Sequence, residues 1–562
     1  MRIASNTGWA IAAGTALFAA ACSSLDVSST EHGQPVDGKL STKPGKVLTI
    51  SPGQLLAGTN GVTPVAFGKP THGSIAYGAY GAMIYTPDAG FTGTDQLLVT
   101  VSHAVRLYAE DQSPLTIIDE VPVQANAHGS AIAAVPGSAE EIYGLTDRGP
   151  NVDGPAPGEK VLPVPNFHPQ IARLKLAGGV ASLEQIITLT GKDGAPLVGL
   201  IDPRASGGET LVDLNGNPLA PSDHGLDSEG LVAMPDGTFW VSDEYGPFIV
   251  HFDAKGKELE RLSPFDGSLP KELSLRGPNA GMEGLTITPD GTTLVGVMQS
   301  ALKAPGLVGS PESVPVARIV TINLADRTNV HAYLYPLANP QLTKVSVSEI
   351  TALSPTAFLI DEHDDAPAPV GDKKIYVADI SGATDVGPHS TVPGASYQAD
   401  AGGLLVNGVP LETFVGVSTD AAAADRLKAA GITVAGKTLK LDVGELVRTL
   451  SAKGDFFGHD KIEGVISRDG GNTLMLANDS DFGLAGLASD TPTFKLKPKM
   501  LPNGTQDSGE ILTVDMTKLP AQNRTGDDSD HGRLSRRAAA RCQAPIGRRR
   551  KTLISRGAQL AR

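Results

Sequence analysis

A unit of two short apolar runs joined by a tight turn recurs along most of this chain, and it constrains the fold more than any other feature. Asp227-Ser228-Glu229-Gly230-Leu231-Val232-Ala233 leads through Pro235-Asp236-Gly237 to Phe239-Trp240-Val241-Ser242-Asp243-Glu244. Gly281-Met282-Glu283-Gly284-Leu285-Thr286-Ile287 leads through Pro289-Asp290-Gly291 to Thr293-Leu294-Val295-Gly296-Val297. Ser348-Glu349-Ile350-Thr351 leads to Phe358-Leu359-Ile360-Asp361-Glu362, and Lys461-Ile462-Glu463-Gly464-Val465-Ile466 leads through Asp469-Gly470-Gly471 to Leu474-Met475-Leu476-Ala477-Asn478-Asp479. A weaker copy runs from Gly129-Ser130-Ala131-Ile132 to Gly144-Leu145-Thr146-Asp147. Each unit reads as a strand, an Asp-Gly-type turn and a second strand ending in an acid or amide. Single hairpins cannot bury both faces, but hairpins stacked around an axis can. The expected fold is therefore all-β, a β-propeller over residues 106–519. Glu229, Glu283 and Glu349 stand 54 and 66 residues apart, while the steps from 349 to 463 and from 130 to 229 are 114 and 99. Each long step has room for a degenerate blade or an insertion. The count falls between five and seven blades, with six or seven expected.

Composition agrees with a turn-rich globular body. The chain has 65 Gly and 41 Pro in 562 residues, with 40% apolar and 19% charged residues, which excludes a coiled coil and a disordered chain. The formal charge of −15 divides unevenly. Residues 521–562 hold ten Arg, one Lys and three Asp, or +8, so the remainder carries −23. An acidic body argues against nucleic acid as a partner and favours divalent cations. The basic segment 520–562 reads as an appendage outside the fold.

The amino-terminal end reads as an export signal over 1–22: Met1-Arg2, an apolar run from Trp9 to Ala21, then Ala19-Ala20-Ala21-Cys22. Small residues before a cysteine fit a bacterial lipoprotein in which Cys22 is lipidated. That lipid is the only membrane attachment expected, with ordinary secretion as the alternative. The protein is placed in the periplasm or on the outer membrane. Cys22 and Cys542 are the only cysteines, so no disulfide is expected inside the folded body. Residues 23–45 read as a flexible tether.

In a propeller the first strand of each blade lines the central channel. Glu229, Glu283, Glu349 and Glu463 occupy one equivalent position in the repeat, and the loops after the second strands add Asp147, Asp243, Glu244, Asp361 and Asp479. Gathered carboxylates repel unless a cation neutralises them or they share protons. Oxygen donors without Cys or paired His point to Ca²⁺ rather than zinc. The expected metal set is Glu229, Glu283, Glu349, Glu463, Asp147, Asp361 and Asp479, with His363 and His459 as bystanders. The same glutamates have a second reading, as acceptors that staple one blade to the backbone N–H groups of the next.

Two resemblances extend this picture. Lys69-Pro70-Thr71-His72-Gly73-Ser74 and Tyr85-Thr86-Pro87-Asp88-Ala89-Gly90-Phe91-Thr92-Gly93-Thr94-Asp95 resemble bacterial Ig-like/cadherin-like modules, which implies a small β-sandwich over 46–105. Asp88 and Asp95 could be calcium ligands there or structural acids. The larger region resembles the phytase-like family described as having esterase-like activity. The matching residues are Asp147-Arg148-Gly149-Pro150-Asn151, Asp227-Ser228-Glu229-Gly230, Ser242-Asp243-Glu244-Tyr245-Gly246-Pro247, Asn279 with Gly281-Met282-Glu283-Gly284, and Ile462-Glu463-Gly464 with Asn478-Asp479-Ser480-Asp481-Phe482.

That resemblance implies a divalent-metal hydrolase acting on a small phosphorylated or ester substrate. Arg148, with Arg276 as a second candidate, would hold substrate oxygens, and Asp243 or Glu244 would act as general base. No Gly-x-Ser-x-Gly elbow occurs, so no serine nucleophile is invoked. A non-catalytic envelope propeller that binds surface polymer or protein, and a lactonase-type hydrolase, are the competing functions.

Overall fold

The computed structural model describes residues 8–12, 38–59, 61–205 and 207–519. Cys22, Cys542 and the basic segment 520–562 lie outside them, as does most of the expected export signal.

Among the described residues, strand pairing builds five four-stranded antiparallel sheets, here blades one to five. The inner strands are Ala131–Ala134, Ser228–Ala233, Met282–Ile287, Ser346–Ala352 and Gly464–Ile466. Each touches the next, and the fifth touches the first, so the ring closes. One apolar cluster fills each of the five blade interfaces. Leu145 and Ile171 pack on Leu231 and Val241, for example, and Ile132 and Leu174 pack on Ile466 and Ile511 where the ring closes. Strand Val105–Glu110 supplies the outer edge of blade five by pairing antiparallel with Glu510–Asp515, and it also bridges to the outer strand of blade one. The chain's early and late parts therefore close the ring by hydrogen bonds, which leaves no open sheet edge there.

The turns behave as the sequence predicts. Gly237 and Gly291 adopt φ of 88° and 71°, in the left-handed region where a side chain is disfavoured. Asp236 Oδ1 accepts from Thr238 N at 3.0 Å, and Asp290 Oδ1 accepts from Thr292 N at 3.1 Å. These aspartates hold the turns together, accepting from the Thr238 and Thr292 hydroxyls as well.

The ring holds five blades rather than the expected six or seven, because the long sequence steps are insertions. Residues between 380 and 435 carry strands Ala395–Gln398 and Gly403–Val406 and helix Asp420–Ala429. They pack through Val386, Leu404 and Leu427 on Val316 and Leu334 of blade three. The step from 130 to 229 includes a three-stranded sheet, Val152–Asp153, Glu159–Leu162 and Thr210–Asp213. Val161 and Val212 of that sheet pack on Phe482, Leu484 and Phe494. Both insertions bury apolar residues against the outside or the rim of the ring, which hydrophobic spacing alone cannot distinguish from a blade.

Residues ahead of the ring form two small sheets: Leu48–Ile50, Met83–Pro87 and Gly73–Tyr77 in one, and Thr63–Phe67 with Thr94–Ser102, Gly8–Ala12 and Gly38–Ser41 in the other. Asp95 is buried there and accepts from Thr71 N at 3.0 Å and His72 N at 2.8 Å. It is a structural acid. No helix among the described residues is long and apolar enough to cross a membrane.

Candidate functional site

The acids reach the channel through an irregularity shared by three inner strands. The pairing of inner with second strand shifts register between Ser228 and Leu231, between Met282 and Leu285, and between Val347 and Ile350. Such bulges re-aim side chains, and here two residues stand in each break. In blades two and three the pair is Glu-Gly: Glu229-Gly230 and Glu283-Gly284. The glycine is needed because neighbouring inner strands nearly touch. A Cβ on Gly230 would lie 2.5 Å from Leu285 N and 2.8 Å from Glu283 O, and one on Gly284 would lie 2.5 Å from Ile350 N. Ser242 Oγ donates to Glu283 O at 2.6 Å across the same seam.

In blade four the pair is Ser348-Glu349, one residue out of step. Ser348 takes the channel-facing position, and Glu349 takes the position held by glycine in the other blades. A one-residue offset in a strand sends a side chain to the other face. Glu349 is buried and accepts from Ile350 N at 2.8 Å and Leu285 N at 3.2 Å, which staples blade four to blade three. The expectation that all four glutamates converge is corrected for Glu349.

A cavity of about 940 Å³ opens at the end of the channel where the inner strands begin. Glu229, Glu283, Glu463, Asp147 and Asp479 line it, joined by Asp227, Glu244 and Arg148. One carboxylate oxygen each from Asp227, Glu229 and Glu244 lies within 4.8 Å of the other two. Gln299 Nε2 donates to both Glu244 Oε1 and Glu283 Oε1 at 2.8 Å, holding two acids on one amide. Asp227 Oδ2 and Glu283 Oε2 are buried without a hydrogen-bond partner. Burial pushes Glu229, Glu244 and Glu283 well above the usual carboxylate range, and the repulsion of neighbouring acids adds to it. Burial, then Asp227, raises Asp147 to about 8.

The far wall is different. Lys461 approaches Asp481 at 2.9 Å, Asp479 at 3.8 Å and Glu463 at 4.0 Å, and His363 Nε2 lies 3.5 Å from Glu463. Lys499 meets Asp460 and Asp481 at 2.6 Å and Asp507 at 3.3 Å. Asp479 and Glu463 thus face ammonium groups, while the carboxylates near Asp227 face mainly one another.

Three further expectations change. Asp361 is buried outside the cavity with neither oxygen hydrogen-bonded, and burial raises it to about 8. Asp243 also lies outside the cavity. It accepts from Gly246 N and, at 3.2 Å, from Asp227 N, so it shapes the turn that presents Asp227 and Glu244. Arg148 lines the cavity, but its Nη1 is 3.3 Å from Glu209 and 3.6 Å from Asp227, and its guanidinium stacks over Tyr245. Arg276 is spent on Tyr245 O and Ala205 O, both at 2.6 Å.

Sequence reasoning passed over Asp227, Gln299, Lys461 and Lys499 as site residues. Asp227 had a signal, since it stands two residues before Glu229 at the head of the same strand. Lys461 stands likewise two residues before Glu463, whereas Gln299 and Lys499 are placed by contacts between loops.

Fold and site together define a β-propeller with an acidic chamber at one end of its channel. The phytase-like family model, described as "Esterase-like activity of phytase", matches residues 127–482, and the chain belongs to that family. An uncharacterized secreted protein of Arthroderma benhamiae is 35% identical over 158 residues, which is 21% of this chain and 31% of that protein. The match thus spans less than a third of that relative's length. Among solved structures, an oxidoreductase from Thermus thermophilus assigned as a glucose dehydrogenase is 10% identical with a TM-score of 0.26, covering 81% of this chain and 99% of that one. Streptogramin B lyase is 10% identical with a TM-score of 0.25, covering 73% and 98%. At these scores neither likeness bears on function, and the propeller is read from the strand pairing.

Proposed function

We propose that this protein is an exported, divalent-cation-dependent hydrolase of ester bonds, with calcium held by Asp227, Glu229 and Glu244. The observation that carries the reading is the trio of carboxylates within 4.8 Å, Asp227 and Glu244 buried and Glu229 half-buried, beside Glu283 Oε2, a buried oxygen without a hydrogen-bond partner. Buried acids without counter-charges are costly, and hard oxygen donors suit a hard cation. A bound dication supplies Lewis-acid polarisation of the substrate oxygen and a more acidic water.

The chain's own groups do the rest. Glu283, with Oε1 fixed by Gln299, accepts a proton from the attacking water at Oε2 and returns it to the leaving oxygen. Arg148 orients Asp227, and Asp243 fixes the turn behind it. Export is supported by the leader-like segment 1–22 and by the secreted relative. In the same reading Cys22 carries a lipid, and the two small sheets ahead of the ring form an Ig-like spacer between envelope and propeller.

The test is calorimetric titration of the full chain with calcium, followed by assay on carboxyl esters, lactones and phosphomonoesters with and without chelator. Calcium binding that Glu229→Gln weakens at least ~10-fold, together with chelator-sensitive turnover, is the expected result. Absence of both refutes the reading.

A further inference from the structure

The chamber sorts ligands by charge, and we propose that its substrates are neutral or cationic carboxylic esters, lactones included, while phosphate-bearing esters are turned away. This rests on the hydrolase reading above and narrows its substrate class. The lining holds twelve Asp and Glu against five Lys and Arg, a formal 5 − 12 = −7, His363 apart.

Almost none of the positive charge is available. Arg148 is shared by Glu209 and Asp227, Lys160 meets Asp153 at 2.8 Å, and Lys461 and Lys499 each face three carboxylates. Lys344, at the rim, is the one lining cation without an ion pair among the described residues. A dication on the acid trio brings the formal −7 only to −5. A dianionic phosphoryl group entering here would have to break existing ion pairs to gain an ammonium or guanidinium, and it would enter a negative field. An ester carbonyl asks for neither.

The end of the ring that carries the chamber also exposes apolar groups. Val308, Leu342 and Val370 are the most exposed large apolar side chains among the described residues, at 85%, 80% and 80%. Their loops join second to third strand in blade three, blade three to blade four, and second to third strand in blade four. All three therefore stand at the chamber's end of the ring, outside the cavity lining, on the face that an acyl or aryl portion would meet first. In the reaction the water oxygen bonds to the acyl carbon, the acyl C–O bond breaks, and the proton taken from water ends on the leaving oxygen. No oxidant, reductant or co-reactant enters.

The experiment compares 4-nitrophenyl butyrate with 4-nitrophenyl phosphate on the calcium-loaded full chain, at low and high ionic strength, beside the rim variant Glu312→Lys. Both substrates release the same phenol. Butyrate turnover should be insensitive to salt. Phosphate turnover should be at least ~100-fold slower, and screening should raise it several-fold as the Debye length falls from about 10 Å toward 3 Å. Glu312→Lys, which replaces one of the twelve lining acids, should raise phosphate turnover relative to butyrate. Phosphate turnover that matches or exceeds butyrate and falls with salt overturns this inference and leaves the hydrolase reading standing. Hydrolysis of neither ester by calcium-loaded protein overturns both.

Discussion

The offset at Glu349 makes the sharpest prediction, because Glu229 and Glu349 look equivalent in sequence and lie at different depths in the ring. Glu349→Ala removes the acceptor for Leu285 N and Ile350 N, leaving two buried N–H donors unmet at about 1–3 kcal/mol each. The expected loss is about 2–6 kcal/mol of folding stability. Glu349→Gln keeps an acceptor oxygen. Since burial holds the Glu349 proton well above the usual range, the amide resembles the group already present at neutral pH, and the loss should stay below about 1 kcal/mol. A folded acid that keeps its proton after the unfolded one has released it loses stability as pH rises above the ordinary carboxylate range. Glu349→Gln should remove that part of the decline. Neither variant, once folded, should change calcium affinity. Glu229→Gln should do the reverse, weakening calcium binding while leaving unfolding unchanged or shifted upward by relief of repulsion. Urea unfolding followed by far-ultraviolet dichroism, with calcium calorimetry on the same samples, reads both quantities. If Glu349→Gln abolished calcium binding while the fold survived, the offset would not have the consequence assigned to it.

Other perturbations test separate parts of the structure. Gly281→Ala drives a Cβ into the carbonyl oxygen of Glu244; it should cost more than ~2 kcal/mol and weaken calcium binding, both read from the same titrations. Burial disfavours a charged His459, but Asp507 at 2.8 Å and Glu510 at 3.1 Å outweigh it and raise its pKa to about 10. Its contribution is therefore complete below the ordinary imidazole range and fades as pH rises through about 10. Thermal unfolding of the wild type should fall across that window, and His459→Gln should lack that share of the fall. Gln299→Leu frees both Glu244 and Glu283 from a shared donor, so steady-state kinetics should show a larger fall in kcat than rise in KM. If KM alone changed, Gln299 would be a binding group.

The recurring hairpins, the Asp-Gly turns and the acid-rich ends of the second strands were all legible in the residues. Local periodicity and turn chemistry are properties of neighbours in sequence, so a propeller of antiparallel hairpins followed from them. The Glu-Gly pairs at 229 and 283 were legible for the same reason, since glycine beside a channel-facing acid marks a close backbone approach. The number of blades was not. An insertion packed on the outside of blade three and a true blade both present short apolar runs between turns, and only burial against a neighbour separates them. Nor could the sequence show that Glu349 stands one step behind its counterparts, because a register shift is set by the partner strand. The pairing of Lys461 and Lys499 with acids on several loops of blade five, and the single amide of Gln299 shared by glutamates of two blades, join residues separated in sequence. Sequence alone therefore determined the kind of ring and its acidity; tertiary structure decided which acids face one another unpaired, because charge compensation depends on distances of a few ångströms between segments far apart in the chain.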